Sequence, residues 1–197
     1  MKMNEITATK EITMGTLPLI EKSSAKPEAV AILDQVEKKY GFVPNLMKVF
    51  AGSPLALQAY VSLGELVAKS SFSPEEQQAI LLAVSVENGC DYCVAAHSMI
   101  AEKMAGMPKD RLDALRDKAI INDKKINELV QFTKEVVAER GFVGKETIKR
   151  FLGVGYNEQH VLEVLLCVAM KTLSNYTNHI AETPVDQPFL DYKWNRQ

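Results

Sequence analysis

Three residues within eight positions have the types and spacing to do chemistry together: Cys90, Cys93 and His97, in the run Cys90-Asp91-Tyr92-Cys93-Val94-Ala95-Ala96-His97. On a helix, positions i, i+3 and i+7 share a side, so one face would carry two thiols and an imidazole. Cys90 falls at the helix start, where unpaired backbone N–H groups and the dipole favour a thiolate. His97, one turn past Cys93, can take or return a proton near neutral pH. Two thiols able to close a disulfide, with a local base, are the minimum equipment for reducing a peroxide or exchanging a disulfide. Two other readings of the same residues stand beside this one. The cysteines could be buried small hydrophobes, or ligands of a zinc ion completed by His160 and His179, including a catalytic Cys2His site with an open position.

The elements that must hold these residues are helical. Nearly every segment after residue 26 has helical periodicity, and no stretch sustains the alternation of a strand. A helix is expected from Pro27 to Gly41, a short one from Pro44 to Phe50, and a longer one from Ser53-Pro54 to about Lys69. Ser73-Pro74-Glu75-Glu76 repeats that start signal, with Ser73 as N-cap and acids in the first turn. The helix it opens is apolar on most faces through Ala79–Val86 and must be largely buried. It ends at Asn88-Gly89, and the next, from about Cys90 to Lys103, carries the thiols. Further helices are expected over 109–118, 123–140, 145–152 and 158–181, with an irregular tail from Glu182. Residues 1–24 read as an extended arm and 25–197 as one all-α domain.

Composition fits this picture. A chain of 197 residues buries roughly 70% of its unfolded surface and needs no staples. With 25 acids against 23 bases, it has no field that would seek a polyanion, so no nucleic-acid partner is expected. The longest apolar run, Ala79–Val86, falls far short of the about 20 residues of a membrane span. The N-terminus has no apolar signal-peptide core. A cytoplasmic location is expected, where thiols stay reduced and a cysteine pair is more often redox-active or metal-binding than structural. The third cysteine, Cys167, lies in the apolar run 164–170 and reads as core. His160 is expected to face solvent, and Tyr176 and His179 to serve packing, a pocket or a subunit contact.

The stretch from Pro74 to His97 resembles the core of the carboxymuconolactone decarboxylase superfamily, and more narrowly its alkyl hydroperoxidase D-like, peroxidase-related branch. Gly41-Phe42-Val43-Pro44-Asn45 and Asn175-Tyr176-Thr177-Asn178-His179 are similar to segments of the peroxidase-related subgroup. The resemblance implies a compact all-α fold of the alkyl hydroperoxidase D-like type and a homo-oligomer, trimer or hexamer. It also implies a thiol peroxidase that acts in antioxidant defence on a small hydroperoxide and is recharged by a dithiol reductant, protein or small molecule. No metal or organic cofactor is implied.

Position by position, the family's cysteine pair falls on Cys90 and Cys93 and its histidine on His97. The relay glutamate twelve positions before the first cysteine is here Gln78, which cannot transfer protons as a carboxylate does. Tyr92 stands where some members carry a second histidine. Gln78 and Tyr92 are therefore candidate relay or pocket residues. Glu87 is the candidate replacement acid, orienting His97 if buried beside it, or else a solvated helix-end acid. Glu76, nearly in line with Glu87 on the helix, reads most simply as complementing the dipole. The family relay favours Cys93 as the peroxide-attacking sulfur and Cys90 as the more accessible resolving thiol. The alternatives are a lactone decarboxylase, whose chemistry needs no dithiol, and a non-catalytic metal-binding oligomer.

Overall fold

The computed structural model describes residues 17–196. Among the described residues the chain forms nine α-helices and no strand: α1 (Pro27–Tyr40), α2 (Asn45–Phe50), α3 (Pro54–Val67), α4 (Pro74–Glu87), α5 (Asp91–Lys103), α6 (Lys109–Arg116), α7 (Lys124–Ala138), α8 (Lys145–Gly153) and α9 (Glu158–Ala181). The all-α expectation holds, with most ends within two residues of their sequence signals. The expected arm falls mostly on residues 1–16, outside the described residues. Its last part forms a 3₁₀ turn at Lys22–Ser24.

Helix α4 is the hub. Its start is a full capping box: Ser73 Oγ accepts from Glu76 N at 3.3 Å, and Glu76 Oε2 accepts from Ser73 N at 2.9 Å. Every residue from Ala79 to Val86 is buried. A helix apolar all round must be covered all round, and α5, α6, α7 and α9 do so.

The turn out of α4 delivers the first cysteine. Gly89 adopts φ +65°, a left-handed conformation that a β-carbon disfavours. Cys90 N then reaches back to Ser85 O at 2.9 Å and Gly89 N to Val86 O at 3.1 Å, the paired bonds of a Schellman motif. Cys90 thereby becomes the N-cap residue of α5. Asn88 Nδ2 donates to Asn175 Oδ1 at 2.9 Å, fastening this turn to α9.

Helix α9 opens with a second capping box, Asn157 with His160 at the third position. His160 was expected in solvent. Instead its ring packs at 5.0 Å from Phe72 and 5.2 Å from Tyr156, because the cap folds it back over the helix start. Phe132, Phe151 and Tyr156 stack at 4.3 and 4.6 Å, binding α7 and α8 to the start of α9.

The tail is ordered rather than irregular. Gln187–Tyr192 form a 3₁₀ helix lying on α5. Asp186 accepts from Tyr92 Oη at 2.5 Å and from Asn45 N at 3.1 Å, and Trp194 Nε1 donates to Arg116 O at 3.1 Å. These tertiary bonds, invisible in local sequence, override the two prolines. No helix among the described residues is long and apolar enough to cross a membrane.

Candidate active site

Both sulfurs and the imidazole come to one place. Cys90 caps α5, Cys93 sits in its first turn and His97 one turn on, and all three are buried. Opposite them α9 presents Lys171, Ser174, Asn175 and Asn178, at i, i+3, i+4 and i+7, every one buried. Asn178 Nδ2 lies 3.2 Å from Cys93 Sγ and 3.8 Å from Cys90 Sγ. Ser174 Oγ lies 3.9 Å from Cys93 Sγ. Lys171 is fully buried, and its Nζ has no conventional hydrogen-bond partner among the described residues.

These neighbours sort the two thiols. Burial pushes the Cys93 thiol up, but the hydrogen bond from the Cys90 thiol and then the charge of Lys171 outweigh it, holding Cys93 well below the ordinary thiol value. Cys90, the donor to that thiolate and itself buried, is pushed up. Of the two sulfurs, these neighbours therefore favour Cys93 as the thiolate and Cys90 as the thiol. Burial, aided by the Lys171 charge, drives His97 well below its ordinary value, so its ring is neutral at pH 7.

Gln78 has a definite task. Its Oε1 stands 2.9 Å from His97 Nδ1. An amide oxygen can only accept, so Nδ1 carries the proton and Nε2 is left with its lone pair. Gln78 thus fixes the tautomer that a carboxylate would also fix, without carrying charge.

Cys93, His97, Gln78 and Lys171 line a cavity of about 460 Å³ whose remaining walls include Met47, Tyr60, Met99, Met170 and Phe189. Cys90 lies outside it and borders a separate cleft with Asp91, Asn178, His179, Glu182 and Lys193. Cys90 is as buried as Cys93, at 1% against 2% exposure, so the greater accessibility expected of it is absent. Wedged between the α4–α5 turn and α9, it meets the cleft without projecting into it.

Glu87 is not brought to His97. It lies nine residues beyond Gln78 on α4, about 13 Å along the axis, with its carboxylate 3.8 Å from Lys118 Nζ. Tyr92 borders the cavity but gives its hydroxyl to Asp186. Glu76 serves the capping box and accepts from Tyr156 Oη at 2.8 Å. Cys167 is fully buried, with its thiol pushed up to about 12 by burial. His160 and His179 stand nineteen residues apart on α9, about 28 Å, too far to complete one metal site. No group of three or more His, Cys, Asp or Glu among the described residues is placed to hold a metal.

The residues that sequence reading missed are Lys171, Ser174 and the role of Asn178. A signal existed: four polar residues recurring at helical spacing on a helix otherwise rich in apolar residues mark a buried polar stripe.

Residues 54–135, which contain the cysteine pair, match the carboxymuconolactone decarboxylase family. The fold is shared with the alkylhydroperoxidase AhpD core of a peroxidase-related protein from Ralstonia eutropha JMP134, at 20% identity over 90% of this chain and 95% of that one, TM-score 0.79. A peroxidase-related protein from Silicibacter sp. TM1040 matches at 19% identity over 94% and 97%, TM-score 0.76. A cysteine-to-alanine variant of the debrominase Bmp8, in complex with 2,3,4-tribromopyrrole, matches at 18% identity over 90% and 94%, TM-score 0.73. At these identities the structural likenesses establish the fold. No match emerges among curated proteins compared by sequence. The superfamily resemblance read from residues 74–97 is borne out by the family match over residues 54–135, and the expected alkyl hydroperoxidase D-like fold by the shared structures.

Proposed function

We propose that this chain, with its family segment spanning the cysteine pair, is a thiol-dependent peroxidase acting on small apolar hydroperoxides. The observation that carries the reading is Cys93: a buried sulfur held as thiolate beside Asn178 and Lys171, with a second thiol as its donor, facing a largely apolar cavity. The Cys93 thiolate attacks the outer oxygen of the hydroperoxide. The O–O bond breaks, sulfur becomes a sulfenic acid, and the alkoxide leaves as an alcohol after taking one proton. Cys90 then displaces the sulfenic oxygen as water and the disulfide forms. An external dithiol returns two electrons and two protons, approaching through the cleft beside Cys90.

Hydroperoxide consumption with a dithiol reductant tests this on wild type, Cys90→Ser, Cys93→Ser and His97→Ala. Turnover should vanish in both cysteine variants, and full activity in both overturns the reading. Turnover of a carboxylated lactone without thiol dependence would support the decarboxylase activity in its place. A second reading rests on the apolar cavity and on the halogenated pyrrole held by the fold-sharing debrominase. A dithiol can also supply the two electrons that convert an aryl bromide to arene and bromide, and bromide release from a bromopyrrole measures it.

A cytoplasmic setting, without membrane or nucleic-acid partner, is part of the same proposal, as is a homo-oligomer. Support for assembly comes from α9, whose outer face exposes Leu162, Leu165, Tyr176 and Ile180 in one stripe.

A further inference from the structure

The peroxidase reading leaves one proton unassigned. When the O–O bond breaks, an alkoxide appears inside a buried, largely apolar cavity, and a buried anion there must be neutralised at once. Gln78 stands at the family's relay position and has no acidic proton to give. His97 is no substitute: its proton is on Nδ1 and committed to Gln78, so Nε2 can only accept. The Cys90 thiol is the hydrogen-bond donor to Cys93, and its proton leaves later in the water of condensation. The Tyr92 hydroxyl is given to Asp186. Tyr60 would have to become a buried phenolate, which burial opposes strongly.

Lys171 remains. It lines the same cavity as Cys93 and His97, is fully buried, and its Nζ has no conventional hydrogen-bond partner among the described residues.

We infer that Lys171 is the acid that protonates the leaving alkoxide, a catalytic role that rests on the peroxidase reading above. The charges close at every stage. At rest the Lys171 ammonium balances the Cys93 thiolate. Attack converts the thiolate to a neutral sulfenic acid and releases RO⁻. Lys171 transfers its proton, giving ROH and a neutral amine. Cys90–SH and Cys93–SOH then form the disulfide and water. The dithiol reductant brings two protons; one restores the Cys90 thiol and one restores the Lys171 ammonium opposite a renewed Cys93 thiolate. No stage leaves an unpaired charge in the cavity, and no proton need come from bulk water during oxidation.

The test varies how much the leaving group needs a proton. tert-Butyl hydroperoxide expels an alkoxide, whereas peracetic acid expels a carboxylate that is stable without protonation. Single-turnover oxidation by each is followed in wild type, Lys171→Met and Lys171→Arg, with rates normalised to the thiolate fraction measured by its ultraviolet absorbance. Methionine is close in shape and removes a buried charge, and such changes are often tolerated. Arginine keeps the charge but not the transferable proton.

Both variants should lose about 10²-fold or more with tert-butyl hydroperoxide, the scale of general-acid catalysis, and less than about 10-fold with peracetic acid. Equal losses with both oxidants, or none, would overturn the inference and leave Lys171 as a stabiliser of the thiolate alone. A selective loss in Tyr60→Phe in place of the lysine variants would also overturn it. Wild type inert to both oxidants defeats the peroxidase reading itself, so the two failures are distinguishable.

Discussion

Asn178 Nδ2 lies 3.2 Å from Cys93 Sγ, and the same amide stands 3.8 Å from Cys90 Sγ. One side chain of α9 thus touches both sulfurs of α5, and an N–H donor can steady a thiolate as it would a carboxylate. A hydrogen bond to a charged group contributes about 1.5–3 kcal/mol, or roughly one to two pKa units. Asn178→Leu should therefore raise the Cys93 thiolate transition by about that much. The thiolate absorbance followed against pH reads it, and an unchanged transition would remove the amide from the site's electrostatics.

Gln78 fixes a tautomer without adding charge, so a carboxylate in its place should change the histidine more than the fold. In Gln78→Glu an anion 2.9 Å from Nδ1 favours the imidazolium and raises the His97 pKa from its depressed position. The ring resonances in an NMR titration should shift at higher pH than in wild type. A titration no higher than wild type would mean that Gln78 and His97 do not meet in solution.

Glu76 carries a pH signature of its own. Burial pushes its carboxyl up, but hydrogen bonds from Ser73, Tyr156 and Lys125 outweigh that and hold it at about 2. A folded-state pKa below the unfolded one stabilises the fold above the unfolded value, and that stability is lost as pH falls from about 4.5 toward about 2. Glu76→Gln, which weakens the capping box, should cost about 1–2 kcal/mol at pH 7, roughly 2–8 °C in Tm for a chain of this size. The gap to wild type should narrow between pH 5 and pH 2.5. A gap constant across that range would show that the carboxylate's charge is not what the cap needs.

The Tyr92–Asp186 bond fastens the C-terminal segment across the thiol helix. Tyr92→Phe leaves the buried Asp186 carboxylate without its closest donor, which should loosen residues 184–196 by about 1.5–3 kcal/mol. Hydrogen exchange in that segment should quicken while α4 stays protected. Unchanged exchange in the tail would assign its order to Trp194 and Arg116 instead.

The sequence made the thiol helix and its start legible because both rest on local chemistry: a serine, proline and glutamate cap for α4, an Asn-Gly stop and a Cys-x-x-Cys spacing. It also made Cys167 legible as core. Lys171 and Asn178 were hidden for a different reason. Their task depends on α9 lying against α5, a tertiary fact that periodicity does not state. Glu87 shows the converse: a plausible acid by position, directed elsewhere because α4 runs away from His97 as it approaches Cys90. The tail was misread because its order comes from Asp186 and Trp194 meeting partners far away in sequence.

Helix α9 serves two neighbourhoods at once. Lys171, Ser174, Asn175 and Asn178 look inward, while Leu162, Leu165, Tyr176 and Ile180 lie on the opposite side of the same rod. Anything seated on the outer stripe is therefore only a helix diameter, about 10 Å, from the sulfurs. A turn or slide of that rod would move ammonium and amide together against a stationary thiolate. Packing on the outside and reactivity on the inside thus share a single mechanical part, and neither can be adjusted without the other registering it.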